Sequence, residues 1–227
     1  MAELNNTALI LDANLEAYYR GENVNDSTAG ASHLTNVNSV AFNPAKYSNG
    51  FDFGATNTTK YLTVASDLGI AGNSDATFSF WVKCQAEIGS GTWLLLKHRS
   101  TTGADRGIGI SYEYNGGTRR LAVDVSGTSY TYNITLGTTN YYHIVVTRNV
   151  AGNSSHLWVN NADVASGTVG STTYGNNFLT LGASGVPDNY SSVFMDDVAC
   201  FKDILTSDEI ATLYRDAEIG GFMFFST

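Results

Sequence analysis

The sequence predicts an all-β fold, an antiparallel sandwich or jelly roll, with one short helix near the C-terminus. Three observations carry this. Short runs of alternating apolar and polar residues recur about every 10 to 15 residues. Clusters of Gly, Asn, Asp, Ser and Thr with the propensity to turn lie between them. Helical periodicity is clear in one place, after Leu205.

Taken in order, "LEAYY" at Leu15–Tyr19 reads as a strand or a turn of helix, and "GENVNDSTAG" after it as a loop. "ATFSFWVKC" places Phe78, Phe80, Val82 and Cys84 on one face and Ser79, Trp81 and Lys83 on the other. "TWLLLKH", "GIGISYEY", "RLAVDV", "SYTYNITL", "YYHIVVTR", "HLWVNN", "NFLTLGA" and "VFMDDVACF" continue the strand series. In "GIGISYEY", Ile108, Ile110, Tyr112 and Tyr114 share a face. Pro44 and Pro187 are expected in loops, where neither interrupts a ladder. The helix is predicted in "ILTSDEIATLYRDAEIGG": Thr206 and Glu209 form a capping box, Ile210, Leu213 and Tyr214 its apolar face, and Gly220–Gly221 its stop. Residues 1–221 read as one domain, and 222–227 as an appended apolar segment.

Composition narrows the function. Of 227 residues, 43% are hydrophobic, which suits a folded core, and only 15% are charged, against roughly 25% in an average soluble protein. The surface is therefore built from Asn, Ser, Thr and Gly. A net charge of −9 argues against nucleic acid, whose phosphates require clustered Lys and Arg. No apolar run reaches the length of a membrane span. The N-terminal stretch carries acidic residues where a signal peptide carries basic ones, so none is expected in this chain. Cys84 and Cys200 both fall in strand-like runs, and spacing does not decide whether they pair.

Several segments line up in a recognisable order: "LEAYYRGENVNDSTAG", "YSNGFDFGATNTTKYLTV", "ATFSFWVK", "YYHIVVTRN", "HLWVNNADV", "FLTLGAS" and "MDDVACFKDILTSDEIATLYRD". From Leu15 to Asp216 this order resembles the concanavalin A-like lectin/glucanase superfamily, and within it the laminin G-like jelly-roll domains of bacterial and viral surface proteins. The resemblance implies a two-sheet antiparallel jelly-roll sandwich with curved sheets, core tryptophans at Trp81 and Trp158, and a structural calcium joining the first loop to the closing strand. Its expected ligands are Glu22, Asn23 and Asp26, with Asn25 and Ser27 as further oxygen donors, and Asp196 or Asp197 opposite. Alternation lets one Asp of that pair face the loop and does not say which.

Catalysis is not expected. Glucanases of this fold carry paired carboxylates on one strand, and Glu113 has no acidic partner two or four residues away. His143 and His156 stand alone and read as structural. A glycan ligand is expected instead, with Tyr112, Tyr114 and Tyr190 as the candidate aromatic platform. The expected role is a non-catalytic extracellular, cell-surface or virion-surface module of adhesion type, working in an oligomer. The alternative is a self-assembling structural subunit without a glycan ligand. Phe222, Met223, Phe224 and Phe225 form an apolar run after the helix stop and are the candidate assembly residues.

Overall fold

The computed structural model describes residues 12–55, 59–70, 74–100, 107–170, 177–183 and 189–219. Their strands are β1 (Leu15–Tyr19), β2 (Thr35–Val37), β3 (Ala41–Pro44), β4 (Asn49–Asp52), β5 (Tyr61–Val64), β6 (Ala76–Cys84), β7 (Gly91–Ser100) and β8 (Gly107–Asn115). The series continues with β9 (Thr118–Val125), β10 (Thr128–Asn133), β11 (Tyr142–Asn149), β12 (Ser154–Val159), β13 (Ala162–Gly167), β14 (Asn177–Leu181) and β15 (Val193–Phe201), and helix α1 spans Ser207–Ile219.

Among the described residues the strands form two antiparallel sheets. One runs β13-β12-β11-β6-β15-β4-β3, with β1 also paired to β15, and the other runs β10-β9-β8-β7-β14-β5-β2. This is the two-sheet, jelly-roll-like sandwich with one short helix that the alternation and the family resemblance together predict. The core between the sheets is the predicted face of β6 (Phe78, Phe80, Val82 and Cys84) against Ile108, Ile110 and Tyr112 of β8 and Leu121, Val123 and Val125 of β9, all buried. Leu15–Tyr19 is a strand, paired with β15.

Trp81 and Trp158 are not core residues of the sandwich. A second apolar cluster lies outside the eight-stranded sheet, where Ile210 and Leu213 of α1 pack on Val145, Ala199 and Phe201, with Trp158 against them. Trp81 stacks on Tyr214 of α1 at 5.6 Å between ring centroids, and Lys46 Nζ lies 4.4 Å above its ring. The capping box forms as predicted: Thr206 Oγ1 accepts from Glu209 N–H and Glu209 Oε2 accepts from Thr206 N–H. Gly220 and Gly221 lie outside the described residues.

Pro44 departs from the loop expectation. It ends edge strand β3 opposite Asn49, where its missing N–H costs no interior ladder bond. Pro187 lies outside the described residues. Cys84 and Cys200 are buried free thiols, and their registers on β15 and β6 (Cys84 beside Val193, Cys200 beside Phe78) put them at opposite ends of the β6–β15 pair.

Candidate functional site

The paired aspartates mark a change of sheet partner. The N-terminal half of β15 pairs with β4 through Phe194 and Met195, and its C-terminal half pairs with β1 from Val198 onward. Between the halves the β6–β15 register shifts, and Asp197 takes a left-handed φ of 49°. This is a bulge, and it sends both carboxylates to nearby structure. Asp196 Oδ2 accepts from the backbone N–H groups of Lys46 and Tyr47, and its Oδ1 accepts from Asp197 N–H. Asp197 Oδ1 accepts from the Tyr18 hydroxyl at 2.6 Å.

The rest of the expected calcium set divides in the same way. Asp26 is buried, and its carboxylate accepts from Tyr18 N–H, Thr28 N–H, the Thr28 hydroxyl and Ser32 N–H, all within 3.0 Å. It therefore folds the first loop back on itself. The Asn23 side chain accepts from Asn25 N–H. Glu22 differs: its charge acts on Asp196, whose carboxyl is pushed up to about 7 by burial and then by Glu22, against the pull of its three N–H donors. Among the described residues no cluster of three or more His, Cys, Asp or Glu side chains gathers around one point.

The tyrosines do not form one platform. Tyr112 is fully buried, and its hydroxyl accepts from Leu136 N–H, so the core-facing side of β8 removes it from any ligand. Tyr114 is half-buried on the same face, with Arg119 over its ring at 5.3 Å. Tyr190 is half-buried and packs beside Tyr61 at 6.5 Å between ring centroids.

The outer face of the seven-stranded sheet holds a concavity of about 320 Å³. Its floor follows from the alternation in "GIGISYE". Because Ile108, Ile110 and Tyr112 point into the core, Gly107, Gly109, Ser111 and Glu113 point out. Glycines leave the floor hollow, and Ala122 of β9 extends it. Leu94, Lys97 and Asn189 stand on one side, and Asp124, Ser129 and Thr131 on the other. Lys97, Gly109 and Asp124 lie in one row across β7, β8 and β9. At one end Arg120 meets Glu113 in register, with Nε at 3.0 Å and a terminal nitrogen at 2.9 Å from Oε2, and Ser111 Oγ donates to Oε1. Asp124 accepts from Gly127 N–H and the Ser129 hydroxyl. The tyrosine-led reading of the sequence passes over this groove, although the outward glycines of β8 are its visible signal.

Among the described residues, the two carboxylates that line the groove stand far apart. Asp124 lies four positions along β9 from Arg120, the partner of Glu113, a separation on the order of 13 Å at strand rise. Glycosidic hydrolysis needs roughly 5 to 9.5 Å. His143 is buried, with Nε2 at 2.8 Å from Ser79 Oγ and its ring beside Trp81, and it belongs to the other sheet, away from this groove. His156 pairs with Asp163 at 2.8 Å on the opposite sheet.

A family model described as the concanavalin A-like lectin/glucanases superfamily, of laminin G type, matches residues 56–211. No curated protein sequence matches the chain. Solved structures do. The botulinum neurotoxin serotype G binding domain is 16% identical with a TM-score of 0.67, over 89% of this chain and 51% of that one. The binding domain of Paraclostridial Mosquitocidal Protein 1 is 16% identical with a TM-score of 0.69, over 88% and 52%. The binding domain of botulinum neurotoxin DC in complex with SialylT is 12% identical with a TM-score of 0.69, over 91% and 52%. The chain thus spans about half the length of the structures it matches, and at these identities the likeness is one of fold.

Proposed function

This chain belongs to the concanavalin A-like lectin/glucanase superfamily, and from that premise we propose that it is a non-catalytic carbohydrate-binding module of adhesion type. Its ligand lies in the groove over Gly107, Gly109 and Ser111. The observation that carries the reading is the groove itself: a hollow floor of glycines, an apolar wall at Leu94, and hydroxyl, amide and charged groups along the sides. Sugars present both C–H faces and hydroxyls, and small-ligand sites combine apolar lining with a few placed polar groups. That similar folds are named as binding domains, one of them bound to SialylT, supports the reading. The wide spacing of Glu113 and Asp124 supports the absence of catalysis.

Calcium enters the proposal at Glu22 and Asp196, where a divalent cation would neutralise a buried carboxylate and its like-charged neighbour. Asp26 and Asp197, like Asp196, also accept from protein donors. Self-association through Phe222, Met223, Phe224 and Phe225 is also proposed. These residues lie outside the described structure, and the proposal rests on their apolar character. An extracellular or particle surface is the proposed location, and no described helix is long and apolar enough to cross a membrane.

A glycan array probed with the full chain, followed by incubation of each bound glycan and assay of reducing ends, tests the reading. Binding without release is expected. Absence of any glycan ligand, or product release that Glu113→Gln removes, contradicts it.

A further inference from the structure

We infer that the groove selects neutral oligosaccharides and rejects sugars that carry a carboxylate; the inference rests on the glycan-binding reading above. Among the described residues its charged lining consists of two cations, Lys97 and Arg120, and two anions, Glu113 and Asp124, so these side chains together bring no net charge to the groove in a chain of net charge −9. The charges also engage the protein. Arg120 gives two donors to Glu113, Ser111 adds a third, and Asp124 holds Gly127 N–H and Ser129 Oγ.

An acidic sugar entering this groove loses water from its carboxylate and needs a charge-assisted donor in return. Taking Arg120 for that purpose strips Glu113 of its guanidinium and leaves a half-buried carboxylate less well paired. The surrounding negative field opposes the approach of an anion as well. A neutral sugar meets neither obstacle. Its hydroxyls donate and accept, which matches a lining that mixes Ser111, Thr131 and Asn189 with carboxylate and ammonium groups. Its apolar ring face fits over Gly107, Gly109 and Ala122 beside Leu94. A volume of about 320 Å³ lies near the lower end of small-ligand pockets, roughly 300 to 1,000 Å³, which suits a short oligosaccharide.

Calorimetric titration of the full chain tests this with maltotriose, laminaritriose and triacetylchitotriose as neutral probes, and sialyllactose and trigalacturonate as acidic ones. Each is titrated at low and high sodium chloride. Binding of at least one neutral probe is expected, with a Kd that changes less than about twofold between the two salts because no net charge is neutralised. Gly109→Val supplies the site control. Gly109 has no positive φ, and an added Cβ meets only Asp124 Cβ at 3.8 Å, so the strand accepts the change while the floor fills. Loss of neutral-sugar binding at an unchanged melting midpoint supports the inference, and retained binding overturns it. Preference for acidic probes, weakened by salt, overturns the neutral class and leaves the module reading standing. Binding of neither class by the wild-type chain overturns both.

Discussion

The hydroxyl of Tyr18 on β1 lies 2.6 Å from Oδ1 of Asp197 on β15, and both side chains are buried. This bond spans the point where β15 exchanges β4 for β1. Removing the hydroxyl leaves a buried carboxylate short of a donor, whereas the ring still packs with Leu15 and Ala199. Tyr18→Phe is expected to lower unfolding stability by about 1 to 3 kcal/mol, read from the urea midpoint with an unchanged m-value. An unchanged midpoint contradicts this assignment.

Two histidines make the fold acid-sensitive. Burial pushes His98 down to about 4 and His143 down to about 3, from an ordinary value near 6.5. His98 faces Asp67, whose carbonyl lies 3.1 Å from its Nε2, and senses the charge of Arg148; His143 senses Lys46. The unfolded chain takes up protons at these side chains near pH 6.5, while the folded one refuses them until pH 4 or below. Stability from this source is therefore complete above pH 6.5 and falls as pH is lowered toward 4, by on the order of 3 kcal/mol for His98. Asp196 works in the opposite sense, because its folded value is raised. Imidazole C2–H resonances resolve the contributions: neither His98 nor His143 is expected to titrate above pH 5 in the folded protein. Titration of either near 6.5 contradicts the placement.

Much of the fold was legible along the chain. Phe78, Phe80, Val82 and Cys84 alternate with Ser79, Trp81 and Lys83, and alternation alone puts the first set in the core. The capping box of α1 is equally local. The destination of Asp196 and Asp197 was not legible, because it depends on a bulge that breaks alternation and on turns some 150 residues earlier in the chain. Trp81 was misplaced for a related reason: α1 returns to cover the outer sheet face and buries it there. The groove was half-visible. Its glycine floor follows from the core-facing isoleucines, but its walls draw on β7, β9 and β10, which only the sheet register brings alongside.

Calcium is expected to raise the melting midpoint relative to EDTA, since a cation at Glu22 and Asp196 relieves two like charges. At a hundredfold excess over Kd the gain is about 2.7 kcal/mol. Asp196→Asn keeps an oxygen that can accept the Lys46 and Tyr47 N–H bonds and should abolish the gain. Equal midpoints in calcium and EDTA contradict the proposed ion.

Truncation after Gly221 removes the apolar run at Phe222–Phe225. The full chain is expected to self-associate in light scattering, and the truncated chain to be monomeric. Identical masses for the two contradict an assembly role for the segment.

The proposed glycan site lies over β8 on the outer face of the seven-stranded sheet. Amide chemical-shift mapping of the isotopically labelled chain, titrated with its best array ligand, tests it most directly. The largest shifts are expected at Gly107, Gly109, Ser111, Ala122 and Asp124, which line the groove. Shifts confined to the α1 face around Trp81 and Tyr214, with the β8 amides unmoved, would contradict it.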